Sequence, residues 1–196
     1  MKARKRIQET EDCGSAPTHR DLLSLNSIVR AYQRFNRSRL VGQLDSFKRE
    51  PTLGAAVARA ALAQRPDGKR YGHQRRISPN TLKKVRKRLP AKRCGSCRNF
   101  SELYDLIETN IGTIRGVGSL MVYDTALRIG AKLRVWPERV YLHRGTRLGA
   151  RALGLKYWQP TLELSELPQA LRTLRPHEIE DLLCIYDKEL SRFRAG

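Results

Sequence analysis

Ile114-Arg115-Gly116-Val117-Gly118-Ser119 joins two stretches that each read as an amphipathic helix, and how this turn is read decides the fold. Glycine at 116 and 118 lets backbone approach backbone, or a bound molecule, without a Cβ in the way. The N–H groups that open the second helix lack intrahelical partners and can accept an anion such as a phosphate. Before the turn, Phe100, Leu103, Leu106, Ile107 and Ile111 recur at helical spacing. After it, Leu120, Tyr123, Leu127 and Ala131 together with Val122, Ala126, Ile129 and Leu133 describe a helix that is apolar on more than one side. Such a helix belongs in the middle of a bundle, and Ser119 is its expected N-cap.

Working outward toward the C-terminus, Val135-Trp136-Pro137-Glu138 breaks the helix and Val140 to His143 is a short extended segment. Thr146 is expected to cap a small helix over 147–153. Pro176 starts a last helix, with Ile179, Leu182, Leu183, Tyr186 and Leu190 on one stripe and Glu178, Glu180 and Asp181 in its first turn. Toward the N-terminus, the apolar spacing from Asp21 to Glu50 predicts one long helix or two, and Leu53 to Gln64 a short Ala-rich one. Residues 1–19 show no period and read as a flexible arm.

Between Arg65 and Arg98 stand 13 Lys and Arg residues and a single acid, Asp67. Well over half of the chain's net charge of +20 lies there. Tyr71, His73, Gln74, Arg75 and Arg76 mix flat and hydrogen-bonding groups with charge, and Ser78-Pro79 caps a helix bearing Lys83, Lys84, Arg86, Lys87 and Arg88. A basic surface of this kind tracks phosphates, because each neutralised phosphate releases counterions. The expected organisation is all-α: a flexible arm (1–19), a basic N-terminal helical region (20–98) and a core domain (99–196), together forming a helical bundle.

Composition bounds the function classes. With 196 residues and 40% apolar content the chain can bury a core, and a pI near 10.6 points to polyanions as partners. No stretch approaches the ~20 apolar residues of a membrane span, and the first twenty residues lack the apolar core of a signal peptide. A soluble, cytoplasmic, nucleoid-associated monomer is expected, with no membrane contact. Cys13, Cys94, Cys97 and Cys184 do not make a disulfide framework, and Cys94-Gly95-Ser96-Cys97 lacks the second pair of a metal knuckle. No cofactor or metal is expected.

Residues 100–133, centred on Arg115-Gly116-Val117-Gly118-Ser119, resemble the helix-hairpin-helix element of DNA-repair proteins. Arg115 stands where that family usually has proline, adding a charge. The resemblance implies double-stranded DNA as partner, gripped through its phosphates by the hairpin. The order of parts further resembles the helix-hairpin-helix DNA glycosylases, in which a carboxylate after the hairpin stabilises the cationic sugar as the base leaves. Two positions compete for that role. Glu138 lies 22 residues after Gly116, near the family's interval, and Asp124 sits in a local stretch similar to the family's aspartate-threonine sequence. Asp124 also falls on an apolar stripe, where an ion pair to Arg128, one turn on, would account for it structurally.

A glycosylase holds an extruded base against aromatic and polar groups. Tyr123, Tyr141, Trp136 and His143 are available, and Arg144 and Arg147 follow closely as further DNA contacts. Core packing would equally account for Tyr141. Two other functions stay open: a non-catalytic, structure-dependent DNA-binding module, and a nuclease using Glu178, Glu180 and Asp181.

Overall fold

A computed structural model describes residues 24–194, so the expected arm at 1–19 lies outside the described residues. Among them the chain is helical apart from one two-stranded sheet, as an all-α reading requires. Helix α1 (Leu25–Phe35) begins where Ser24 Oγ accepts the Ser27 N–H at 3.1 Å. The periodic stretch before Glu50 divides at Asn36, which ends α1 and precedes α2 (Arg37–Lys48). Tyr186 Oη donates to Asn36 Oδ1 at 2.8 Å and holds that break.

Thr52 caps α3 (Leu53–Ala61), whose Ala56, Ala60 and Ala61 are fully buried; small side chains let it lie close to its neighbours. A loop with an isolated bridge between Gln64 and Arg70 leads to a 3-10 turn at Gly72–Gln74. Ser78 then caps α4 (Pro79–Arg88), and a short α5 (Ala91–Gly95) follows. Asn99 Oδ1 accepts from Glu102 N to start α6 (Phe100–Ile111), and α7 (Ser119–Leu133) occupies the centre. Every residue of α7 from Met121 to Ala131 is buried, against α2, α3 and α6. Ser119 is the first helical residue and not the cap: Met121 and Val122 donate to Gly118 O, which places the helix start one residue earlier.

The chain continues through β1 (Val140–Tyr141), α8 (Arg144–Ala152), β2 (Thr161–Leu162), α9 (Pro176–Ile185) and α10 (Asp187–Leu190). The two strands pair antiparallel, Val140 with Leu162 and Tyr141 with Thr161. α8 starts three residues before the expected 147. Thr146 lies in its first turn, accepting from His143 N at 2.7 Å and donating to His143 O at 2.9 Å.

Apolar side chains collect in two clusters. One takes α2 to α7 and includes Phe47, Phe100, Leu103, Ile107 and Ile129. The other takes α1, β1, α8, α9 and α10 and includes Ile28, Tyr32, Val140, Leu162 and Leu183. The clusters do not follow sequence halves: α1 packs with the C-terminal helices, and α3 to α5 share a core with α6 and α7 across residue 98. Each such large side chain removed from water contributes about 1.5–3 kcal/mol. No helix among the described residues is long and apolar enough to cross a membrane.

Gly149 is where α8 meets α9 most closely. A Cβ there would lie 2.2 Å from Leu183 O, a backbone atom that cannot swing aside. Gly149→Ala should therefore destabilise the protein by about 3 kcal/mol, the upper part of the overpacking range. Gly42→Ala, on α2 with nothing within 4 Å of the added Cβ, should instead be neutral or stabilising by roughly 0.5–1 kcal/mol. Urea unfolding of both variants checks this; equal stabilities would contradict the close helix approach.

Candidate functional site

The turn 112–118 between α6 and α7 is built to expose backbone. Val117 N–H donates to Ile114 O at 2.9 Å, closing a turn whose third residue, Gly116, has φ of 92°, a region that favours glycine. Ile114 is buried beneath it, whereas Arg115, Gly116, Gly118 and Ser119 are exposed and Val117 is half-buried. The first N–H groups of α7 point out of the helix end with the positive end of its dipole. α4 lies alongside: Thr81 Oγ1 donates to Arg115 O at 3.4 Å, and Arg88 Nη1 donates to Thr113 Oγ1 at 3.3 Å. Lys83, Lys84 and Lys87 on α4 are exposed, as are Arg75 and Arg76 before it. Thr81 and Arg88 thus hold the basic helix against the turn.

One turn into α7 the surface opens into a cavity of about 670 Å³, of the size that holds small molecules. Leu120, Asp124 and Leu127 of α7 form one wall. The loop Arg65 to His73 forms another, and His143, Glu180, Asp181 and Cys184 contribute from the C-terminal cluster. Arg39 and Gln43 of α2 complete it.

Asp124 is held by three donors, all at Oδ2: His73 Nε2 at 2.6 Å, Gln74 Nε2 at 3.0 Å and Arg128 Nη2 at 3.2 Å. No side chain among the described residues bonds Oδ1. Arg128 is fully buried, donates also to Gln74 Oε1 at 2.9 Å, and stacks its guanidinium 4.1 Å from the Tyr71 ring centre. Burial acts to raise the Asp124 carboxyl, but Arg128 and His73 outweigh it and hold the group below the usual carboxylate range.

Glu180 has the opposite environment. Burial pushes it up to about 7, against a hydrogen bond with His143 Nε2, while Asp124 and Asp181 add to the rise. Burial also raises Asp181, opposed by Arg39 and by Tyr32, whose Oη donates to Asp181 Oδ2 at 3.2 Å. Among the cavity's acids, Asp124 is thus held as the anion, whereas Glu180 and Asp181 are both pushed toward the neutral form. Paired acids separated in this way can serve as electrostatic stabiliser and proton donor.

Of the residues singled out on the sequence, Asp124 and His143 meet in this cavity. Glu138 does not: it is exposed in the turn before β1. Tyr123 and Tyr141 lie in an aromatic cluster with Phe100, ring centres 5.4–6.1 Å apart, and do not line the cavity. Trp136 stacks on His177 at 5.1 Å under the Lys48 ammonium, also outside it. Arg144 is exposed beside the cavity residue His143, and Arg147 donates to Tyr157 O at 2.6 Å. Among the acids considered for a nuclease, Glu180 and Asp181 reach the cavity, but Glu178 is buried, accepting from Arg37 Nε at 2.7 Å and Arg175 N at 2.9 Å. No group of three or more His, Cys, Asp or Glu among the described residues is arranged to hold a metal. On the sequence His73 and Gln74 read as part of the basic surface; the signal for a different role is that neither carries the charge of its neighbours.

A carboxyl raised by folding from 4.5 to about 7 contributes stability that is complete below about 4.5 and lost as pH rises through about 7. The stability of the native protein relative to Glu180→Gln, measured by urea unfolding, should therefore fall by up to about 3 kcal/mol between about pH 4.5 and pH 8. A difference that grows with pH would contradict a buried neutral acid. Compared with protein-family models, with characterised proteins and with solved structures, the chain matches none.

Proposed function

We propose that the protein binds double-stranded DNA through a helix-hairpin-helix element formed by α6, the turn 112–118 and α7, and hydrolyses an N-glycosidic bond in it. The observation that carries this reading is an anionic Asp124 in a cavity that opens one helical turn from the exposed hairpin. Ser119 and Asp124 stand five positions apart, about 7.5 Å along the helix axis. A hairpin bound to phosphates would thus bring an extruded nucleoside within reach of the carboxylate.

In this scheme the bond between the sugar C1′ and the base nitrogen breaks, and its electron pair leaves with the base. Asp124, with Oδ2 held by His73, Gln74 and Arg128, stabilises the positive charge that develops on the sugar. Water adds to C1′, leaving an abasic site. Glu180, held by His143, supplies a proton to the departing base and regains one from the water. Gly116 to Ser119 with Arg115, Lys83, Lys84, Lys87, Arg75 and Arg76 supply the phosphate contacts.

A second reading is favoured by the Arg128–Asp124–Gln74 network itself, which pins the loop 71–74 onto α7. In it Asp124 is structural and the protein binds DNA without chemistry.

Duplexes each carrying one damaged or modified base, incubated with the protein and then treated with alkali, separate the two. The enzyme reading predicts strand breakage at one class of modified base, slowed by on the order of 10²- to 10³-fold in Asp124→Asn at a temperature where circular dichroism and duplex affinity match those of the native protein, although loss of the Arg128 counter-charge lowers the variant's stability. Undiminished breakage in Asp124→Asn removes it from the chemistry, and no product on any duplex supports the binding module. Breakage abolished by EDTA would indicate a nuclease. Removing Lys83, Lys84 and Lys87 together should lower the slope of log affinity against log salt by roughly 0.9 for each phosphate that is no longer neutralised.

A further inference from the structure

Trp158 exposes 66% of its surface and Leu148 52%, the two most exposed large apolar side chains among the described residues. Neither is loosely placed. Trp158 sits at the tip of a turn closed by Gln159 N–H donating to Lys156 O at 3.1 Å. Its indole meets the Tyr157 ring edge-on at 5.4 Å. Tyr157 is in turn fastened to α8: its carbonyl accepts from Arg147 at 2.6 Å, and the Arg151 guanidinium lies 5.7 Å from its ring centre. On α8, Arg144, Leu148 and Arg151 fall at i, i+4 and i+7 and are all exposed, while Thr146, Gly149 and Ala150 face the core.

An exposed indole packed edge-on against Tyr157, whose ring in turn lies beside the Arg151 guanidinium, is a surface for flat, anionic polymers. Unpaired bases stack on an aromatic ring whatever their identity, and arginines neutralise the phosphates between them. α8 departs from His143, a cavity residue, so this surface begins at the cavity's edge. We propose that α8 and the turn 156–159 bind single-stranded DNA, Trp158 stacking on an unpaired base and Arg144 and Arg151 contacting the phosphates beside it. The choice of DNA over RNA rests on the reading of the hairpin given above; the stacking does not.

The experiment compares binding of the full chain to a labelled thymidine oligomer of about 12 nucleotides, to the corresponding uridine oligomer, to an intact duplex and to vesicles rich in anionic phospholipid. Trp158→Ala should weaken thymidine-oligomer binding about tenfold, the effect of removing one stacked base, and leave duplex binding unchanged. Arg144→Ala with Arg151→Ala should lower the salt slope for the oligomer by roughly 0.7 per phosphate released. In a Trp136→Phe background, the oligomer should quench the fluorescence of Trp158. The proposal is overturned if the native protein does not bind the oligomer, if Trp158→Ala binds it as tightly as the native protein, or if the weakening is confined to uridine oligomers or vesicles. Because no excision is read, a failure here is distinct from a failure of the glycosidic reading.

Discussion

The ion pair between Asp124 and Arg128 is the constraint around which the site is organised. A guanidinium with no exposed surface must be neutralised and hydrogen-bonded, because an unpaired buried charge costs several kcal/mol. Asp124 supplies the charge, Gln74 Oε1 a second acceptor and Tyr71 a π-face. These partners lie at 71–74 and on α7, so satisfying one arginine fixes the position of a loop some fifty residues away in sequence. That loop is a wall of the cavity. The pair thus shapes a void and leaves an anion on its surface.

The charge distribution has two scales. The chain as a whole is strongly positive, with a net charge of +20. At the cavity three acids, Asp124, Glu180 and Asp181, converge from α7 and α9. Three carboxyls so near one another cannot all ionise cheaply. Arg128 and His73 hold Asp124 below the usual carboxylate range, whereas burial pushes Glu180 and Asp181 up. Burial and neighbours thereby separate the affinities of these carboxyls for a proton, with no difference of residue type needed.

Much of the architecture is legible in the sequence because it is local. The cap at Ser78 and the apolar stripes of α6, α7 and α9 declare themselves within a few residues, whereas the caps expected at Ser119 and Thr146 fall instead on Gly118 and His143. The pairing of Asp124 with Arg128 is also readable, being one helical turn. What escapes is long-range. His73 and Gln74 look like members of a basic strip until Arg128 and Asp124 draw them inward across fifty positions. Glu180 looks like a favourable residue near a helix start until His143 meets it from the segment before α8. The aromatic residues mislead for the converse reason: Tyr123 and Tyr141 suit a base pocket by type, but aromatic rings gain more by packing on Phe100 and each other.

α1 lies beside α9, with Tyr32 bonded to Asp181 and Asn36 to Tyr186 across 149 and 150 positions. Contacts so distant in sequence close late, since the whole intervening chain must be confined first. During synthesis from the N-terminus, α2 to α7 can assemble their own cluster while α1 still waits for its partners to leave the ribosome. The basic helix α4 is then in place before the acids of α9 arrive, so its positive charge is presented before the cavity is finished. Order of appearance, and not only final geometry, separates the basic surface from the cavity.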